Sequence, residues 1–272
     1  MIRAIKVLTA VGMVTCLVSG CAVRPVGPNN TLAQLGYVRM DHLPSGNGKV
    51  NSIRMQALRE TATTLGARGA LAWRSEHIDA ALEQQAIDLD QVFNFNQLLL
   101  KHNVLPPVIV ESQGDLNLNN GSTIRMADKT YKIVATARFV TSPPTWRDYL
   151  WLNYKQPDVP DTTLLPTTRD EAQVWDFYLT QGWKDGLEQA NEIFAADLGR
   201  LKRDYLGMVL YRKLLSQGII TSPIVSKADL GVTGNADQIR VNDEIMRITA
   251  KSALQPDSEK WKPVITNGNL SP

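Results

Sequence analysis

The sequence predicts an α+β protein in which amphipathic helices, one of them long, pack with antiparallel β-strands and hairpins. Three observations carry that reading. Apolar residues recur every 3 or 4 positions from Ala172 to Met208, apolar and polar residues alternate around Tyr131, Ile133 and Ala135, and turn-forming residues punctuate the segments between.

The elements follow in chain order. The opening MIRAIK carries Arg3 and Lys6 and no acidic residue, and the apolar run from Val7 to Gly20 comes next. A basic start and a short apolar run describe a secretion signal, because a bilayer-spanning helix needs roughly 20 apolar residues. Val18-Ser19-Gly20-Cys21 resembles a lipobox, where cleavage follows a small residue and a cysteine thiolate takes up the lipid. Residues 1–20 are thus the expected lipoprotein signal peptide, and Cys21 the expected lipidation site. Cys16 would leave with the signal, so the mature chain holds a single, lipidated thiol and no disulfide framework. Acyl chains such as palmitate contribute about 0.8 kcal/mol per buried methylene, so several chains anchor firmly. Ala22, rather than an aspartate, follows the cysteine and favours sorting to the outer membrane, facing the periplasm.

Without Arg3 and Lys6 the 29 basic residues become 27, equal to the 27 acidic ones. A neutral balance gives no electrostatic pull toward nucleic acid. Removing 20 of 272 residues leaves 252, enough for a sizeable core.

Residues 21–49 are rich in Pro, Gly and Asn and are expected to form a flexible lipidated tether, with Leu35, Tyr37 and Val38 able to dock locally. Residues 50–254 are expected to fold as the α+β periplasmic domain. Its first helix is expected near Asn51 to Leu65, ending at Gly66 and Gly69. A second is expected after an N-cap at Ser75, with Ile78, Leu82, Ala86, Leu89 and Phe93 on one face. Pro106-Pro107 excludes helix before Val108 to Val110, where a β region opens. The alternation from Tyr131 to Phe139 is a strand, with Asn119-Asn120-Gly121 as the turn before it. Trp146 to Tyr154 reads as a further aromatic-rich strand, and Pro157, Pro160 and Pro166 mark a loop.

The long helix, at about 170–217, opens with a capping box, Thr168 and Glu171, and closes at Gln217-Gly218. Its apolar face holds a mean step of 3.6 residues, so it does not drift around the helix. Gly182, Gly186, Gly199 and Gly207 each cost about 1 kcal/mol in a helix interior. Either the helix breaks near Gly182 or the glycines admit a closely crossing neighbour. Beyond Pro223, Gln238 to Val241 and Glu244 to Thr249 read as a hairpin turning at Asn242-Asp243. Residues 255–272 are an irregular tail with Trp261 as its docking point.

No catalytic constellation emerges. G-x-S-x-G and H-E-x-x-H are absent, and His42, His77 and His102 share no metal-like spacing. Gly46-Asn47-Gly48-Lys49 lacks the upstream glycine and the following hydroxyl of a phosphate loop. Asp115, Asn117 and Asn119 have EF-hand spacing, but the glycine falls late and Met126 stands where a glutamate belongs. Glu188 and Glu192 sit one turn apart on what reads as a solvated face. No catalytic, cofactor or metal site is therefore expected, and the chain reads as a non-enzyme. The competing reading is a periplasmic lipoprotein enzyme or cell-wall binding protein, such as a glycan hydrolase using Asp148, Asp170 or Glu188.

Several segments together resemble the DotC/TraI family of lipoproteins from type IVB secretion systems, including those of IncI-type plasmid conjugation. They are Val104-Leu105-Pro106-Pro107-Val108-Ile109, the stretch GWKDGLEQANEIFAADLGRLKRDYLGMVLYRKLL from Gly182 to Leu215, Gly231-Val232-Thr233-Gly234, Ile239 to Thr249, and Asp257 to Pro263 around Trp261. The resemblance implies a structural subunit of a ring-shaped core complex beneath the outer membrane. Its implied partners are a DotD-type (TraH) lipoprotein and a DotH-type (TraN) secretin-like subunit, which the two lipoproteins place at the outer membrane for plasmid DNA transfer.

Overall fold

A computed structural model describes residues 31–36, 52–120 and 123–262. Its elements are α1 (Leu32–Gly36), α2 (Ser52–Gln84), α3 (Ala86–Val92), β1 (Val104–Leu105), β2 (Val108–Asn120), β3 (Thr123–Ala135), β4 (Arg138–Phe139), α4 (Arg147–Leu150), α5 (Arg169–Ser216), β5 (Ile224–Gly234) and β6 (Ile239–Ala250). The architecture is α+β, with antiparallel pairs β1–β4, β2–β3 and β5–β6.

The long helix is one unbroken element of 48 residues, about 72 Å at 1.5 Å per residue. Thr168 caps it by accepting from the Glu171 N–H at 3.3 Å. Gly218, at φ +71°, ends it: its N–H reaches Leu215 O and the Ile219 N–H reaches Leu214 O, the paired bonds of a Schellman motif. Every residue of the expected apolar face, Ala172 through Met208, is buried or half-buried.

α2 lies beside α5 and runs in the same direction, since Arg54 meets Glu171, Thr63 meets Gly182, Ala67 meets Gly186 and Arg74 meets Asn191. Of the two alternatives for the α5 glycines, the close neighbour is the one found. A Cβ on Gly182 would come within 2.1 Å of Thr63 O, one on Gly186 within 2.2 Å of Ala67 O, and one on Gly66 within 2.3 Å of Leu179 O. Small residues one turn apart let two helix backbones approach this way. Gly199 meets nothing within 4 Å.

The same packing corrects the expectation of two separate helices near Asn51 to Leu65 and after Ser75. α2 is continuous for 33 residues, because Gly66 and Gly69 are covered by α5 and α1 instead of ending a helix. Ser75 is no cap either: its hydroxyl donates to Ala72 O at 2.8 Å within the helix. Part of the expected tether is also folded. Leu35 of α1 is buried against Gly69, because its apolar side chain fills the hollow that glycine leaves.

Two strand assignments are corrected as well. Trp146 to Tyr154 contains the helical turn α4, because Asp148 Oδ2 reaches back from its first turn to accept from the Thr145 N–H (2.6 Å) and hydroxyl (3.0 Å) and so holds the entering chain against it. Trp146 and Leu150 then fill the core. Asn242-Asp243 is not a turn: β6 runs straight through it, and the ribbon turns at Asn235 to Gln238, where Asn235 Oδ1 accepts from the N–H groups of Asp237 (3.0 Å) and Gln238 (2.9 Å). Asn242 does adopt the positive φ (58°) that its residue type tolerates, but within a register irregularity facing Gly231. The alternation to Phe139 is likewise split, with β3 ending at Ala135 and Phe139 pairing Val104.

The core follows α5 in three clusters. Leu58, Leu65, Trp175, Leu179 and Trp183 gather near its start. Ile78, Phe95, Leu105, Trp146, Leu150 and Leu201 fill the middle. Ile109, Tyr211, Leu214 and Ile220 close the far end.

Candidate functional site

Cys21, the expected lipidation site, lies outside the described residues, as do His42 and the Gly46 to Val50 segment. The remaining candidates are dispersed. Asp115, Asn117 and Asn119 lie along extended strand β2, and Asp115 accepts from the Thr130 hydroxyl at 3.2 Å. Glu188 and Glu192 are exposed on α5. Asp148 accepts from the Thr145 N–H at the start of α4, while Asp170 and Glu188 stand 18 residues apart on α5, about 27 Å along its axis. A carboxyl pair for glycoside hydrolysis needs roughly 5 to 10 Å, so those two are not brought together. His77 Nδ1 lies 2.7 Å from Trp73 O, and His102 occupies a turn at φ +64°. Among the described residues no group of three or more His, Cys, Asp or Glu could hold a metal ion. Nor, among them, is any helix long and apolar enough to cross a membrane.

Two features organise the surface instead. The first is a clamp at the start of the helix pair. Arg54 of α2 forks onto Glu171 of α5, Nε to Oε1 at 2.6 Å and Nη2 to Oε2 at 3.0 Å, and also donates to Thr163 O (3.0 Å) and Leu165 O (3.1 Å). Glu171 Oε2 accepts from the Thr167 N–H (2.8 Å) and hydroxyl (2.9 Å). The Arg54 bond, against the cost of burial and helped by Thr167, holds the Glu171 carboxyl down at about 2. The glutamate expected for a capping box thus reaches one residue further back, to Thr167, and ties three segments together.

The second feature is a pair of β-ribbons rooted in the core at the end of α5. Ile109, Tyr131 and Ile133 bring β2–β3 onto Tyr211 and Leu214, and Ile219, Ile220 and Leu254 bring the flanks of β5–β6 to the same cluster. A Cβ on Gly207 would press Val108 Cγ1 at 2.6 Å and Ile109 O at 2.7 Å, so the β2–β3 root sits directly on the helix backbone. Beyond this root both ribbons carry large aliphatic side chains into solvent. On β2–β3 they include Leu116, Ile124 and Met126, and on β5–β6 Leu230, Val232, Ile239, Val241, Ile245 and Met246, between 40% and 74% exposed. Sequence reasoning placed strands here but not the exposure of their apolar side, because alternation alone reads as a half-buried strand. The signal was the shared pattern Ile124-Arg125-Met126 and Ile239-Arg240-Val241, opening both return strands.

Fold and surface together define an α+β protein built on a close parallel helix pair and presenting two apolar ribbons to its surroundings. More particularly, the chain belongs to the TraI family of type IV secretory systems: a family model described as type IV secretory system, conjugal DNA-protein transfer, matches residues 52–263, more than three quarters of its length. It is a component of conjugal type IV secretion. The matched region begins with α2 and takes in both ribbons and Trp261. No curated protein matches the chain.

Proposed function

We propose that this protein is an outer-membrane lipoprotein, anchored through Cys21, that serves as a structural subunit of the conjugative core complex. In that role it helps a DotD-type (TraH) lipoprotein place a DotH-type (TraN) secretin-like subunit at the outer membrane. The observation that carries the reading is the joining, in one chain, of a lipobox at Cys21 to a body of the conjugal secretion family from residue 52. Leu35, which docks on the body, lies fourteen positions beyond Cys21, a span of at most about 50 Å when fully extended. The folded part is therefore held close to the membrane surface. Such confinement raises the effective concentration of weak contacts among anchored subunits.

The test replaces Cys21 with Ser in the full chain and follows membrane fractionation together with conjugation frequency. Loss of the protein from outer-membrane fractions with a fall in transfer is the expected result. A Cys21→Ser protein that stays in those fractions and supports undiminished transfer overturns the reading.

A further inference from the structure

Charge is divided along α5. Lys184 is the sole basic residue between Asp170 and Asp197, and Asp204 the sole acidic one between Arg200 and Ser216. A helix macrodipole favours that polarity only in the first and last turns, so it does not account for a division that runs through all 48 residues. The chain's overall neutrality hides a body with an acidic half and a basic end.

The basic end gathers lysines from four segments. Lys213 lies in the last turn of α5. Lys262 crosses the helix end: its N–H donates to Gln217 O at 2.8 Å, and its Cγ lies 3.8 Å from where a Cβ on Gly218 would stand. Lys101 follows Leu100 and Lys251 shortly precedes Leu254, and both leucines pack on the cluster around Tyr211 and Leu214. All four lysines are exposed and make no ion pair among the described residues. The carboxylates beside them are Asp257, taken by Lys260 at 3.2 Å, and Glu259. The ribbons that spring from this end pair charges of their own, Lys129 with Glu111 and Lys227 with Glu244. Between Lys260 and Lys262 stands Trp261, 41% exposed, whose indole N–H donates to Gln255 O at 2.9 Å. An exposed indole ring with its polar edge satisfied, set between lysines, suits the boundary between lipid and water.

We infer that this end of α5 rests on the phospholipid leaflet holding the Cys21 acyl chains, with Lys101, Lys213, Lys251 and Lys262 on anionic headgroups and Trp261 at their level. An acidic protein surface would also attract the lysines, but reach and the exposed indole favour lipid. Leu35 is seated over Gly69 beside Trp183, and Trp183 to Gln217 measures about 50 Å along the helix axis. The tether from Cys21 to Leu35 spans up to about 50 Å. Acyl chains and basic end therefore reach one leaflet whether α5 stands upright or tilts. Upright, the stretch from Asp170 to Asp197 begins about 30 Å from the surface, beyond the roughly 8 Å over which salt leaves charges felt. Acyl chains alone would attach the body in any orientation; a basic patch added to them also sets which end faces the lipid. The inference deepens the lipid-anchored reading and rests on it.

Its test uses the mature-length chain, residues 21–272, carrying Cys21→Ser so that no acyl chain contributes. The protein is co-sedimented with vesicles of phosphatidylethanolamine mixed either with phosphatidylglycerol or with phosphatidylcholine. Binding to the phosphatidylglycerol vesicles is expected, at least about tenfold stronger than to the neutral ones. Lys213→Glu with Lys262→Glu should lower it about tenfold or more, while Lys184→Glu, an equally exposed site on the acidic half, should leave it unchanged. Thermal unfolding confirms that the variants are folded. Failure to bind the anionic vesicles overturns the contact and leaves the lysines to an acidic protein. Equal binding to both vesicle types overturns it too, as does an equal loss from Lys184→Glu, which would reflect net charge and not this end. Fractionation of wild-type cells separates the two readings. A wild-type chain in outer-membrane fractions whose Cys21→Ser form ignores anionic vesicles removes only the α5 contact, whereas a soluble wild-type chain removes the anchor and the inference with it.

Discussion

Gly182 of α5 lies against the carbonyl of Thr63 in α2, so closely that a Cβ on the glycine would stand 2.1 Å from that oxygen. A helix backbone can meet the carbonyl of its neighbour this closely only where the residue facing that carbonyl has no side chain. Gly66 and Gly186 repeat the contact on either side, flanked by the fully buried Ala62, Ala70 and Ala190. Glycine inside a helix costs about 1 kcal/mol relative to alanine, and the dense packing it admits offsets that cost.

Gly182→Ala should therefore destabilise the protein by about 3 kcal/mol, in spite of alanine's better helix propensity, because the obstructing atoms are backbone and cannot swing aside. Gly199→Ala, with nothing within 4 Å of the added methyl, should stabilise it by about 0.5 to 1 kcal/mol. Urea unfolding of the two variants reads the difference, and equal effects would refute the close crossing.

Glu171→Gln should cost about 2 to 3 kcal/mol at neutral pH, since it leaves the Arg54 guanidinium without its carboxylate; partial exposure of Arg54 keeps the loss below that of a fully buried pair. The carboxyl sits lower when folded, at about 2, than its ordinary value of 4.5. Its contribution is therefore complete above about pH 4.5 and is lost as pH falls toward 2. Chemical unfolding at stepped pH should show wild-type stability falling through that window, with a smaller fall for Glu171→Gln.

Asn242→Gly should leave stability within a few tenths of a kcal/mol, whereas Asn242→Val should cost about 1 to 2 kcal/mol, because a β-branched residue does not accept φ of 58°. Thermal unfolding distinguishes them.

The long helix was legible end to end because cap, period and C-terminal glycine all sit within its own sequence. What failed depended on distant partners. Gly66 and Gly69 carry the local mark of a helix end, and only the cover from Leu179, Trp183 and Leu35 keeps α2 going through them. The aromatic content of Trp146 to Tyr154 suggested a strand, yet the Trp146 indole N–H donates to Asp90 Oδ1 at 2.6 Å and the Leu152 N–H to Asp79 Oδ1 at 3.1 Å, both contributed by residues more than 50 positions earlier. Asn242 revealed its positive φ but not whether that φ makes a turn or a bulge, which the register of β5 decides. Of the candidate site, Cys21 came from sequence alone, while the aliphatic patches were visible only once burial was known.

The central claim is that this secretion-family body is held at the membrane by lipid on Cys21. Growing cells with radiolabelled palmitate and purifying the protein tests it most directly: label on the wild-type chain and none on Cys21→Ser is the predicted result. A wild-type chain without label would contradict it.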